Sequence, residues 1–270
     1  MNTVSSRDGT RIAFDRSGNG AALILVGGAG STRKAATDVA AALAPHFTVF
    51  AFDRRGRGDS GDTAPYAVER EVEDIDALIR EAGGSAFLFG HSSGAVLSLE
   101  AARLLPGKVA KLALYEPPFI IDGSRAPIPG DSAGTIDRLV SSGDRGGAVE
   151  YFMRQVGASD EMLGHMRQSP MWGEQERLAH TLAYDFIILD GTQQGEASAL
   201  RKWASVTVPT LVMDGTINLG SEAGHAFMRN GADEIARILP NARRLTLEGQ
   251  DHGPATDVLV PALTEFFTAR

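Results

Sequence analysis

The chain contains no cysteine. That excludes disulfides, thiol nucleophiles and cysteine-ligated metal centres. Positive charge is also scarce: 26 Lys and Arg stand against 34 Asp and Glu, for a net charge of −8. Such a balance attracts neither nucleic acid nor an anionic membrane. The one compact basic cluster, Arg54, Arg55 and Arg57, is broken by glycine and followed by Asp59, so it reads as a solvated loop. No apolar run approaches the length of a membrane span. Met1-Asn2-Thr3-Val4-Ser5 lacks the basic and apolar regions of a signal peptide. The expectation is a cytoplasmic protein with no membrane or nucleic-acid partner. Internal repeats and low-complexity segments are absent as well.

What is present is an alternation of strand-like and helix-like segments. Arg11–Asp15 alternates like an edge strand. Ala22–Val26, Phe47–Phe52, Ala86–Phe89 and Val109–Tyr115 are continuous apolar runs, the pattern of strands buried on both faces. Helical segments fall between them at Ala35–Leu43, Val68–Ala82 and Ala95–Leu105. From Pro117 to about Lys202 the strands stop, and helix candidates follow at Thr135–Val140, Gly147–Val156, Asp160–Arg167 and Glu174–Leu189. The alternation resumes with Val208–Met213, a helix over Glu222–Leu239 with a break suggested near Asn230-Gly231, a strand at Arg244–Leu247 and a helix at Val258–Phe267. Right-handed crossovers then predict an α/β fold, a mostly parallel twisted sheet with helices on both faces. The core spans 1–116 and 203–270, and 117–202 is an all-helical lid.

The informative stretch is Gly90-His91-Ser92-Ser93-Gly94. It follows an apolar strand and opens a helix, which is the strand–turn–helix setting of a nucleophile elbow. The turn forces Ser92 into a strained backbone and lifts its hydroxyl to the sheet edge, at a helix N-terminus that favours negative charge. Serine needs an adjacent base. Of six histidines, His252 follows the last strand, in Gly249-Gln250-Asp251-His252-Gly253. His91 would point away from the Ser92 hydroxyl. His46 lies in a loop, and His165, His180 and His225 lie on helix candidates.

With these residues the chain resembles the α/β-hydrolase family over nearly its whole length. Gly27-Gly28 after an early strand, the loop Asp53-Arg54-Arg55-Gly56-Arg57-Gly58-Asp59-Ser60 and the late Pro209-Thr210-Leu211-Val212 strand complete the likeness. The resemblance implies Ser92 as nucleophile, His252 as general base, and the backbone N–H groups of Ala29 and Ser93 as oxyanion donors. The chain departs from the family twice. Gly27-Gly28 replaces the usual His-Gly, and the position matching the usual acid is Asn218. Asparagine orients a histidine but does not stabilise its cation. Glu116, at the end of the strand after the elbow strand and before Pro117-Pro118, offers a relocated acid, as in some haloalkane dehalogenases. Asn218, Asp214 and Asp251 remain alternatives.

The pocket is expected to be apolar and built from the lid, with Gly28, His91, Phe119, Tyr151, Met171 and Trp172 as substrate contacts. The lid's unpaired basic residues, Arg125, Arg145, Arg154, Arg167 and Arg177, show no pattern selecting an anion. The reading is a serine hydrolase of a small, mostly apolar ester, lactone or related acyl compound, with no metal or cofactor. Alternatives on the same fold are a C–C hydrolase or perhydrolase-type haloperoxidase, and a low-turnover ligand receptor.

Overall fold

The computed structural model describes residues 1–217 and 222–269. In chain order the elements are β1 (Asn2–Ser5), β2 (Arg11–Ser17), β3 (Ala22–Val26), α1 (Thr37–Leu43), β4 (Thr48–Phe52), α2 (Val68–Glu81), β5 (Ala86–His91), α3 (Ser93–Leu104) and β6 (Val109–Tyr115). A strand-free stretch then holds α4 (Ser132–Ser141), α5 (Arg145–Gln155), α6 (Asp160–Gln168), α7 (Trp172–Leu178) and α8 (Leu182–Ile188). The chain closes with β7 (Thr210–Gly215), α9 (Glu222–Ile238), β8 (Ala242–Leu247) and α10 (Thr256–Thr268).

The eight strands form one sheet in the order β1-β2-β4-β3-β5-β6-β7-β8. β1, β2 and β4 pair antiparallel; every other pairing is parallel. The alternate residues of β3 show why both faces must be covered. Ile24 and Val26 enter the core against α2, α3 and α9, while Leu23 and Leu25 enter the core against α1 and α10. β1 is missing from the sequence reading because its residues are almost wholly exposed, so it carries no apolar signature. Two helix expectations also change. Glu174–Leu189 is split into α7, a short 3-10 turn and α8, and α9 runs through Asn230-Gly231 without a break. Gly231 is needed there for space, since a Cβ would lie 3.0 Å from Phe119.

The register sets the site. Gly90 pairs with Val26, His91 with Tyr115, and Tyr115 with Met213. The residues that follow on the first three strands, Gly27, Ser92 and Glu116, therefore emerge at one carboxyl edge of the sheet, where open α/β sheets bind ligands, whereas Asp214 stays buried inside β7. Two backbone bonds extend the ladders past that point, from Ser92 N–H to the Tyr115 carbonyl and from Glu116 N–H to the Met213 carbonyl, both 2.9 Å.

Candidate active site

Among the described residues, only two that are not glycine have positive φ: Ser92 at 56° and Glu116 at 45°. Such strain costs about 1–3 kcal/mol per residue and persists only where its surroundings over-determine it. At Ser92 the surroundings are crowded backbone. A Cβ on Gly94 would lie 2.2 Å from the Val26 carbonyl oxygen, and one on Gly90 would lie 2.5 Å from the Gly94 oxygen. Both positions need glycine because strand and helix approach so closely. The turn leaves Ser92 in the wall of a cavity of about 1150 Å³ that also exposes His252, Glu116, Gly28, Ala29 and Ser93.

His252 is held at both ends. Its Nδ1 lies 2.6 Å from Glu116 Oε2, and its backbone carbonyl accepts a bond from His91 Nε2 at 2.7 Å. An ionised carboxylate only accepts, so the Nδ1 proton points to Glu116 and the Nε2 lone pair is left free. Glu116 Oε1 accepts the Gly215 amide at 2.9 Å. Burial resists ionisation of Glu116, but the bonds from His252 and Gly215 outweigh it and hold the carboxyl below its ordinary range. Burial, reinforced by the His252 charge, depresses His91 from 6.5 to about 4, so its ring is neutral.

The other acid candidates lie elsewhere. Asp214 accepts from Thr246 at 2.8 Å and pairs with Arg244 at 3.0 Å. Asp251 caps its own turn through the Gly253 amide at 2.8 Å. Asn218 lies outside the described residues.

The arginine cluster is the main correction. Arg54, Arg55 and Arg57 are not solvated; each is at most 2% exposed. Arg54 grips Glu71 with two bonds of 2.7 Å and donates to Asp185 Oδ1 at 2.9 Å. Arg57 donates to Asp185 Oδ2 at 2.8 Å and to the Gly28 carbonyl at 2.7 Å. Asp185 also accepts from Ser93 Oγ at 2.7 Å. Two cations thus meet two carboxylates, and burial opposed by the arginines leaves both acids more readily ionised than usual. Asp185 belongs to α8, so the network ties the helical insertion to the core beneath the elbow.

It also touches both candidate oxyanion donors. Arg57 and Ser31 Oγ both donate to the Gly28 carbonyl, each at 2.7 Å. In a trans peptide the N–H opposes the C=O, so the Ala29 N–H is aimed away from them and made a stronger donor. Ser93, whose N–H is unclaimed within its helix, is anchored by Asp185. The sequence offered one cue to this arrangement: Asp185 interrupts the otherwise apolar run from Leu182 to Leu189.

The expected pocket contacts divide. Gly28 and His91 line the cavity. Phe119, Tyr151, Met171 and Trp172 do not, which corrects that expectation. Phe119 turns inward after Pro117-Pro118 and packs on Trp203, ring centroids 5.3 Å apart. Tyr151 faces α4 and shares a 3.0 Å bond with Ser132. Met171 is 55% exposed at the start of α7. Trp172 lies against Gly146, seating α7 on α5. The lining from the insertion comes instead from Phe152, Met153, Val156, Met162, Phe186 and Leu189.

The family model described as alpha/beta hydrolase family matches residues 23–260. The chain belongs to the alpha/beta hydrolase family. A crystal structure of an alpha/beta hydrolase from Sphaerobacter thermophilus is 50% identical, with a TM-score of 0.89 over 99% of this chain and 100% of that one. Lipase LipV of Mycobacterium tuberculosis is 34% identical over 82 residues, 30% of this chain and 31% of its own length. N-formylmaleamate deformylase of Pseudomonas putida is 36% identical over 112 residues, 40% and 42% of the two chains. The match to these curated relatives spans less than half of their length. Among the described residues, no group of three or more His, Asp or Glu is arranged to hold a metal ion, and no helix is long and apolar enough to cross a membrane.

Proposed function

We propose that the chain is a serine hydrolase that transfers acyl groups from esters or lactones to water. One observation carries the reading: Glu116 Oε2 lies 2.6 Å from His252 Nδ1, in the same cavity wall as a strained Ser92. Ser92 attacks the carbonyl while His252 Nε2 takes its proton. The Ala29 and Ser93 N–H groups receive the oxyanion, each such donor being worth about 10² to 10³ in rate. Glu116 stabilises the imidazolium, and His252 then protonates the leaving group. A water activated by the same base hydrolyses the acyl-enzyme. Lipase and deformylase relatives fit this chemistry, since both names describe acyl transfer to water.

The helical insertion serves as the lid, and the apolar part of its lining suits the hydrocarbon part of an acyl chain or ring. A cavity of about 1150 Å³ exceeds what a short ester fills, so medium-length substrates are favoured.

A fluorophosphonate is the direct test. The native protein is expected to be labelled at Ser92 and Ser92→Ala to remain unlabelled, with nitrophenyl esters hydrolysed in parallel. A native protein that neither labels nor hydrolyses any ester or lactone in a chain-length screen would fit the receptor alternative and sink the hydrolase reading.

A further inference from the structure

The five lid arginines that looked alike in sequence have different surroundings. Arg154 pairs with Asp160 and Arg167 with Glu150. Arg145 donates to the Glu176 and Arg177 carbonyls at 2.6 and 2.8 Å. Arg177 is exposed. Arg125, in the loop between β6 and α4, is the one of the five that lines the cavity shared with Ser92 and His252.

Its guanidinium lies over the buried ring of Phe227, 4.6 Å from the centroid, and Nη2 donates to the Gln155 carbonyl. Stacking and one backbone acceptor fix its plane but use few of its five N–H groups. No carboxylate among the described residues lies within ion-pair distance of it. The nearby carboxylate of Asp122 is occupied by the Ser124 amide and hydroxyl and by Asn230 Nδ2. Burial without a compensating anion lowers the Arg125 pKa. The other charges in the lining are already answered: Asp185 by Arg54 and Arg57, Glu116 by His252, with Asp38 exposed on α1. A partly desolvated cation, pre-oriented and unpaired inside an apolar cavity of an acidic protein, is a ready counterpart for a planar anion.

We infer that the substrate carries a carboxylate, bound by Arg125, at the other end of an apolar spacer from the scissile carbonyl. The inference rests on the hydrolase reading for the reacting end alone. The spacer would seat on Phe152, Met162 and Phe186, and the guanidinium fork would take the carboxylate through two N–H···O bonds. Binding at Arg125 then sets which carbonyl reaches Ser92, so selectivity depends on spacer length.

The test compares nitrophenyl half-esters of adipate, pimelate and suberate with their methyl-capped neutral counterparts. The anionic member is expected to have at least a tenfold higher kcat/KM at the best spacer length. In Arg125→Met that ratio is expected to fall to near one, chiefly through KM of the anionic member, while Arg125→Lys retains part of it. A native preference for the neutral member at every length would overturn the inference. So would a parallel loss on both members in Arg125→Met and Arg125→Lys, the mark of a structural role. A second arm needs no turnover. Calorimetric titration of Ser92→Ala with monomethyl adipate is expected to give at least tenfold tighter binding than with dimethyl adipate, a difference lost on adding Arg125→Met. Equal binding of the two ligands would refute the anion site even if every ester were cleaved. Absent Ser92 labelling would refute the hydrolase reading and leave this titration to decide the site.

Discussion

The loop after β4 and the loop after β6 both bring arginine toward the cavity, and they treat its charge in opposite ways. Arg54 and Arg57 are buried with Glu71 and Asp185 and have all but one of their polar contacts made inside the protein, the Arg57 Nε being the exception. Arg125 is only partly buried and has no carboxylate partner among the described residues. The first arrangement holds parts together. Its members lie on β4's loop, α2, the elbow and α8, so one network joins the helical insertion, the core and the Gly28–Ala29 loop. The second leaves charge available to whatever enters. Glu116 sits at the root of the second loop, and it too faces the cavity, through His252. The division implies that damage to the β6 side should appear in kinetics, and damage to the β4 side in stability as well.

The largest effect is expected at Glu116. Glu116→Gln keeps the shape but removes the charge that stabilises the imidazolium, and the matching exchange in a serine protease triad costs about 10⁴ in kcat. With only His252 and the Gly215 amide as partners, the change in urea midpoint should be small beside that loss. Near-native kcat in Glu116→Gln, read on the best nitrophenyl ester, would move the acid elsewhere, with Asn218 the first place to look by Asn218→Ala.

Asp185→Asn breaks the comparison from the other side. Removing one partner of a buried ion pair typically destabilises by about 3–5 kcal/mol, because the remaining charges stay buried. Here two arginines lose a shared carboxylate, and Ser93 loses its anchor. Denaturant unfolding should show that loss, and kcat should fall by about tenfold or more on every ester alike as the Ala29 and Ser93 donors loosen. A variant with native stability and a selective loss on anionic esters would mean that the two arginine regions are not separate in function.

How much of this was legible follows from the range over which each signal acts. The elbow was readable because its geometry is local: glycine where backbone crowds backbone, serine between, an apolar strand before it. Glu116 was readable as the residue leaving the next strand, since parallel pairing puts consecutive strand ends on one edge. The network was not readable. Arg57 and Asp185 are 128 positions apart, and no periodicity links them. A triplet of arginines among glycines looks the same whether water or carboxylate surrounds it. The lid contacts, Phe119, Tyr151, Met171 and Trp172, failed for a different reason, while Gly28 and His91 do line the cavity. Tyr151, Phe152 and Met153 are consecutive on α5, but Tyr151 turns to Ser132 while the other two line the cavity. Composition selected the right helix and the wrong face, because what covers each face is fixed by helices that the sequence does not place.

The smallest effect expected is a pH dependence of stability, and it tests how tightly His91 is enclosed between the elbow and His252. Its ring is 4.7 Å from that of His252, and its pKa is lowered from 6.5 to about 4, by burial first and the His252 charge second. Between those values the unfolded chain binds a proton there that the folded chain refuses. Stability from this residue is therefore fully present above about pH 6.5 and declines as pH falls toward 4. Glu116 and Asp185 act in the same direction at lower pH, because their depressed carboxyls titrate below the ordinary carboxylate range. The windows can thus be separated. His180 is also lowered, mainly by burial, and contributes in the upper window, so the comparison is made in a His180→Gln background. There, His91→Gln keeps a donor toward the His252 carbonyl and removes the titration. Its urea midpoint should fall less between pH 7 and 4.5 than that of its parent, with the difference levelling off below pH 4. Parallel curves would mean that water reaches the His91 ring, and the rigid seat inferred for His252 would lose one of its two supports.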